Sequence, residues 1–361
     1  MTEYRDAYFP GTEELADDEM RLTALGTGMP FLRPSQASAA WLLELGNGDT
    51  FLFDLGTGSM MNFAALGIPY TEANKLFLTH LHVDHVGDFI PWYVGGWVER
   101  QADGGVEVWG PSGQEPHLGT ESCINGLIDA CAWDIESRQG KFPIEGLEID
   151  IHEFDYAQED QVVYDRNGVV VRSWPAIHAL DGPVSYSLEW NGMKFVYGGD
   201  TAPNEWYIEY AKGADVAIHE CFITVDLLER KFGFPHDQAV NVGTRVHTSP
   251  AAWASVMKEV QPRLAIAYHF FNDTGTAPVV YEEILDVYDG ELTLAKDLMV
   301  WNITPEEIEV RHVYNTPDTW PKRPDDQKEG TRREATPMSD WLREGEVTFP
   351  GIDEYPDVPR M

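Results

Sequence analysis

The sequence predicts a mixed α/β fold with sheets inside and helices outside. Two patterns and one composition predict it. Short apolar runs of β character recur between Gly, Asn and Asp. Longer runs such as 251–260 carry helical spacing and lead straight into strand-like segments. Hydrophobic residues make up 43% of the chain and aromatics 12%, enough for a large core.

In chain order, residues 1–20 are acidic and aperiodic, which predicts an N-terminal arm. Runs 22–25, 39–45 and 51–55, divided by turn residues, predict hairpin strands, and 56–66 a helix. Run 75–79 (KLFLT) reads as a buried strand. Further strands are expected at 106–109, 147–154, 169–174, 185–190, 194–197 and 264–268, with helices at 206–212 and 251–260. No internal repeat is evident. After Tyr314 the chain turns rich in Pro and charge (Trp320-Pro321-Lys322-Arg323-Pro324-Asp325-Asp326), predicting an extended C-terminal tail over 314–361 behind a domain at 21–313.

The 361 residues hold 61 acidic and 25 basic side chains, a net charge of −36. The apolar content excludes an acidic disordered chain. No apolar run reaches the ~20 residues of a membrane span. The start, Met1-Thr2-Glu3-Tyr4-Arg5-Asp6, lacks the basic and apolar regions of a signal peptide. Cys123, Cys131 and Cys221 make no CxxC pair, so a cytoplasmic location is expected. Lysine is scarcer than arginine, 9 against 16, which with the acid excess is consistent with salt adaptation or with an ordinary acidic enzyme. A field of this sign repels phosphate backbones. The expected partner is therefore a small-molecule substrate, with no nucleic acid and no membrane, in a homo-oligomer such as a dimer.

The most informative stretch is Thr79-His80-Leu81-His82-Val83-Asp84-His85. Three imidazoles and a carboxylate follow an apolar strand, a donor set that zinc, iron or manganese accepts. In an extended turn His80 and His82 point to one side, while Asp84 and His85 reach a second position beside it. Three histidines satisfied by ordinary polar contacts is the competing and much weaker explanation.

This cluster resembles the signature of the metallo-β-lactamase superfamily, and further motifs occur in that superfamily's order from about residue 21 to 312. The resemblance implies a four-layer αββα sandwich. It implies one metal at His80, His82 and His178, a second at Asp84, His85 and His269, and Asp200 of Gly198-Gly199-Asp200-Thr201 bridging them. Two divalent ions are implied, zinc by default, with manganese or iron as alternatives.

The chain is more specifically similar to the ribonuclease Z and arylsulfatase-type branch. Leu25-Gly26-Thr27-Gly28-Met29-Pro30 with Arg33, and Phe53-Asp54-Leu55-Gly56-Thr57-Gly58, match its opening turns. Ala217-Ile218-His219-Glu220-Cys221 resembles its His-Glu-Ala-Thr segment, and Val246-His247-Thr248-Ser249 its His-Ser-Thr segment. By that resemblance His247 is the general acid, His219 and Glu220 support the site, and Asp84 orients a metal-bridging hydroxide. The segment Ala267–Asp273, with Asp297–Asn302, is also similar to a hydrolase subgroup associated with guanitoxin biosynthesis.

Residues 230–237 form an extra, loop-like piece, either a lid or a surface excursion. No basic Gly/Pro-rich arm of the transfer-RNA-processing kind is present. The acidic balance then favours a dinuclear hydrolase of a small ester: phosphodiester, sulfate ester or lactone. The alternatives are a ribonuclease Z-like endonuclease and a non-hydrolytic protein retaining the fold. Trp92, Tyr93, Trp97, Phe270 and Phe271 are candidates either for an apolar substrate pocket or for core packing.

Overall fold

Period-two alternation sets which face of each strand is apolar toward which neighbour. In Ala40–Leu45, residues Trp41, Leu43 and Leu45 join one buried cluster, and Ala40 and Leu42 join another on the opposite face. In Leu264–Tyr268, Leu264, Ile266 and Tyr268 face the first cluster while Ala265 and Ala267 face a third. Strands buried on both faces belong in a sandwich with helices outside. The computed structural model, which describes residues 7–315, 318–319, 328–345 and 347, has that architecture.

The first sheet contains β1 (Ala7–Tyr8), β2 (Met20–Gly26), β3 (Ala40–Leu45), β4 (Thr50–Phe53), β5 (Lys75–Phe77), β6 (Val106–Pro111) and β7 (Ile149–Phe154). The second contains β8 (Gln161–Arg166), β9 (Val169–Pro175), β10 (Val184–Trp190), β11 (Met193–Tyr197), β12 (Val216–Glu220), β13 (Leu264–Tyr268) and β14 (Leu292–Leu294). The chain then returns to the first sheet with β15 (Met299–Ile303) and β16 (Ile308–Val313). The orders are β1-β16-β15-β2-β3-β4-β5-β6-β7 and β14-β13-β12-β11-β10-β9-β8.

Aromatic rings fill the space between the sheets. Phe77 stacks on Trp109 with centroids 4.7 Å apart, and Trp41 meets Tyr268 edge-on at 5.6 Å. Trp41 is fully buried, so truncation to Ala costs about 3–5 kcal/mol. The outer faces are covered by helices: Met60, Phe63, Phe89, Trp92 and Ile124 on the first sheet, Tyr207, Trp253, Val280 and Ile284 on the second.

The strands and helices expected from the sequence are present, with ends shifted by a few residues. The strands β1, β8, β12 and β14 to β16, and the helices Thr120–Ala130, Ala132–Arg138 and Ala277–Leu285, escaped sequence reading. β8 and β16 mix charged residues into their alternation, and β1 and β14 are only two and three residues long. The supposed loop at 230–237 is a helical hairpin: Val225–Phe232 ends on Gly233, at φ +68°, and His236–Asn241 begins after Pro235. Gly and Pro in close succession marked a turn, and reading the piece from residue 230 onward cut off Val225, Leu227 and Leu228, which carry the helical period of the first helix.

The acidic N-terminal segment contributes β1, paired in parallel with His312 and Val313. Residues 1–6, and with them the reading of the chain start, lie outside the described residues, as does Trp320–Asp326 of the tail. Within the tail, the Thr331 amide donates to Glu145, and the Ile144 amide donates to the Thr331 carbonyl. Cys123, Cys131 and Cys221 are free. Among the described residues, no helix is long and apolar enough to cross a membrane.

Candidate metal centre

β5 ends at Phe77, and the chain runs through Thr79 and His80 into a one-turn helix, Val83–Val86, with His82 at its N-cap. His80 Nε2 lies 3.1 Å from His82 Nδ1, and His178 Nε2, from the turn after β9, lies 3.2 Å from that same atom. With Asp200 they form one donor group whose ligand atoms all lie within 4.8 Å of one another. Asp84, His85, Asp200 and His269 form a second group under the same limit, and all four are buried. His85 Nε2 is 3.2 Å from Asp200 Oδ1, and His269 Nε2 is 3.1 Å from Asp200 Oδ2. Asp200 therefore stands between the groups.

Two backbone features fix these positions. Gly199 holds φ +63°, and a Cβ there would sit 2.6 Å from Thr79 Cβ. Only glycine lets the Asp200 turn approach the histidine strand so closely. His269 adopts φ +70°, unusual for a non-glycine residue, and its amide donates to the Thr27 carbonyl at 2.9 Å. The strained residue ends β13 with its ring facing Asp84 and Asp200.

The donors fit divalent cations. Asp84 Oδ1, His85 Nε2 and Asp200 Oδ1 are buried without a hydrogen-bond partner, which is costly for polar and charged atoms unless a cation satisfies them. Burial lowers His80 well below its usual pKa, assisted by the charge of His85. Burial likewise brings His178 to about 4, against the pull of Asp200. Neutral imidazole is the ligating form. Burial opposes ionisation of Asp200, yet the His269 and His85 charges hold its pKa well below the carboxylate range. The arrangement is an anionic, imidazole-rich cup.

One residue central to this cup was noted in the sequence only as part of a turn. Asp54, at φ +57°, accepts hydrogen bonds from His85 Nδ1 at 2.7 Å, Thr79 Oγ1 at 2.8 Å and Tyr197 Oη at 2.8 Å on one oxygen. Its other oxygen accepts from the Thr79 amide at 2.8 Å. With its hydroxyl proton given to Asp54, Thr79 Oγ1 accepts from His80 Nδ1 at 3.1 Å. These bonds select the tautomers that turn Nε2 of both rings toward the centre. Asp after an apolar strand is the only sequence signal, and it is a common one.

His247 sits at the edge of the cup. Its Nδ1 lies 2.8 Å from Glu220 Oε1, and its ring stacks on Phe222 at 4.2 Å. Burial disfavours its charge, but Glu220 and Asp200 outweigh that and raise its pKa to about 9. His219 is not brought to the cup. It is buried, bonded through Nδ1 to the Glu220 carbonyl and packed edge-on against Tyr207 at 4.6 Å. The aromatic candidates resolve toward the core: Trp92, Tyr93 and Trp97 donate to the carbonyls of Ala73, Leu147 and Pro143, and Phe270 is buried.

A family model described as "Anti-Pycsar protein Apyc1" matches residues 20–90. Ribonuclease Z of Mycobacterium marinum (strain ATCC BAA-535 / M) is 31% identical over 205 residues, covering 55% of this chain and 70% of that protein. The chain belongs to the ribonuclease Z family. It is a metallo-hydrolase of the metallo-β-lactamase fold.

Solved structures agree on the fold. The metallo-β-lactamase fold protein YhfI from Bacillus subtilis superposes with a TM-score of 0.59 at 18% identity, covering 79% of this chain and all (100%) of that one. Human tRNase Z, short form, gives 0.56 at 19% identity, covering 78% and 98%. Zn(2+)-bound PqqB from Methylobacterium extorquens gives 0.54 at 10% identity, covering 78% and 99%.

Membership of the ribonuclease Z family overturns the expectation of a small-molecule substrate without nucleic acid. Net charge is summed over the whole surface and screened over a Debye length of about 8 Å. It does not report what binds in one cup.

Proposed function

We propose that this ribonuclease Z family member is a divalent-metal-dependent endonuclease acting on RNA phosphodiesters, with transfer-RNA precursors as its substrate. The observation that carries the reading is the His247–Glu220 pair beside two donor groups sharing Asp200. Glu220, His247 and His269 place their polar atoms within 4.8 Å of one another. His247 Nδ1 is 3.9 Å from Asp200 Oδ2.

His80, His82 and His178 would hold one ion and Asp84, His85 and His269 the other, with Asp200 shared. Imidazole and carboxylate donors suit zinc, or manganese as an alternative. When bound, such ions supply Lewis acidity toward phosphoryl oxygens and an acidified water.

The rest is the work of side chains. Asp84 presents Oδ1, free of hydrogen bonds, to orient the attacking water and accept its proton. Water oxygen forms the new bond to phosphorus as the ribose oxygen leaves. Glu220 engages His247 Nδ1, leaving Nε2 to give the departing oxygen its proton. Asp54 keeps His85 and Thr79 in place throughout.

The test is incubation of the zinc- or manganese-loaded protein with a 3′-extended precursor transfer RNA, beside bis(p-nitrophenyl) phosphate. Cleavage at one phosphodiester, leaving a 3′-hydroxyl and stopped by chelation, is the expected result. Hydrolysis of the small diester with the RNA intact, at both low and high salt, would remove the endonuclease reading.

A further inference from the structure

Beside the first donor group the surface opens into a cavity of about 180 Å³. His80, His82 and His178 of the first donor group are among the residues lining it. Its walls come from two loops remote in sequence, Pro111 and Leu118 from the stretch after β6, and Leu180 and Pro183 from the turn carrying His178. The second loop is closed by the Ala176 amide donating to the Pro183 carbonyl at 2.9 Å, so His178 and this wall belong to one turn. Leu118 and Leu180 are 40% and 56% exposed. Large apolar side chains at the mouth of a reaction centre gain by being covered. Polar groups are few there: Ser112 and Asp181. Asp181 accepts from Tyr156 Oη at 3.3 Å through Oδ2, and no bond to Oδ1 is found among the described residues.

We infer that this slot receives the nucleobase of the nucleotide next to the scissile phosphate, between Leu118 and Leu180. The inference rests on the endonuclease reading and deepens it. The volume is below the roughly 300–1,000 Å³ of sites enclosing a drug-sized ligand, so it suits one heterocycle and not a whole nucleotide. A flat apolar ring satisfies the leucine and proline walls, and its exocyclic amine suits the carboxylate of Asp181. The first donor group lines the same slot, so a base held there keeps its own phosphate beside the cup.

The experiment uses the full chain and a precursor transfer RNA whose cleavage position has been mapped. An abasic ribose is placed on the 3′ or the 5′ side of that position. One placement is expected to lower kcat/KM about tenfold or more. In the doubly truncated protein, Leu118→Ala with Leu180→Ala, normal RNA is expected to show the same loss, and the abasic substitution to cost nothing further. Both leucines are exposed, and metal content with thermal melting checks that the variant is folded. An abasic penalty of equal size in wild type and variant overturns the slot, as does no penalty at either position. RNA left uncut by the wild type overturns the endonuclease reading and the slot together, which separates the two failures.

Discussion

The two donor groups share Asp200 but differ in exposure and in how they are braced: Asp54 binds His85 directly, reaches His80 only through Thr79, and His178 is held by the Val246 carbonyl at 3.0 Å. Asp84, His85 and His269 are buried, and Asp54 binds His85 from behind while holding Thr79 and Tyr197. In the group of His80, His82 and His178, His82 is exposed and the rings face an open slot. A buried side beside an open one separates holding from admitting. In the proposed reading the buried group fixes the geometry against which substrate reacts, and the open group is where an incoming nucleotide would meet the centre.

Loss of the shared residue breaks both sides at once. Asp200→Asn is expected to lower kcat by about 10³-fold, comparable with removing a main electrostatic contributor, and to release both ions. Metal analysis beside RNA cleavage checks it, and retention of two ions would show that Asp200 is not shared.

Next in size is His247→Ala, expected to cost about 10²–10⁴-fold on RNA. The loss should be much smaller on bis(p-nitrophenyl) phosphate, because nitrophenolate leaves without a proton. Equal losses on both substrates would show that His247 does not act as the acid.

Asp54→Asn sharpens the comparison itself. It weakens the direct brace on His85 of the buried group and only the indirect one, through Thr79, on His80, so metal affinity should fall about 10–100-fold in titration. Loss of one ion before the other is expected. Simultaneous loss of both would mean that the indirect hold on His80 through Thr79 matters as much as the direct hold on His85.

How these residues read in the sequence follows the same division between local and long-range. His80, His82, Asp84 and His85 were legible because one turn of chain carries them. His178, Asp200 and His269 were legible only through their order after that cluster. Asp54 was not, since its bonds to His85 and Tyr197 span 31 and 143 positions. The slot was invisible because Leu118 and Leu180 belong to loops that meet only in the folded chain. Trp92 and Trp97 are close to the cluster in sequence, yet their indole nitrogens are bound to core carbonyls. The charge of −36 misled because it is a sum over the surface, and the cup is one small part of it.

The smaller predicted effects concern stability. Gly199→Ala forces a Cβ against Thr79 at φ +63° and should cost about 1–3 kcal/mol in denaturant unfolding. Arg230→Ala removes an exposed i,i+4 pair with Asp226 on the helical hairpin. It should change stability by no more than about 0.5 kcal/mol. A larger shift would show that the hairpin is held by that pair and not by the packing of Phe232 on Phe271, whose rings lie 5.4 Å apart.

The most direct test of the shared-aspartate arrangement is a metal titration of the chelated protein, following RNA cleavage against ions added per chain. Activity rising to a plateau at two equivalents, with little at one, is the predicted result. A plateau at one equivalent, or full activity without added metal, would contradict it.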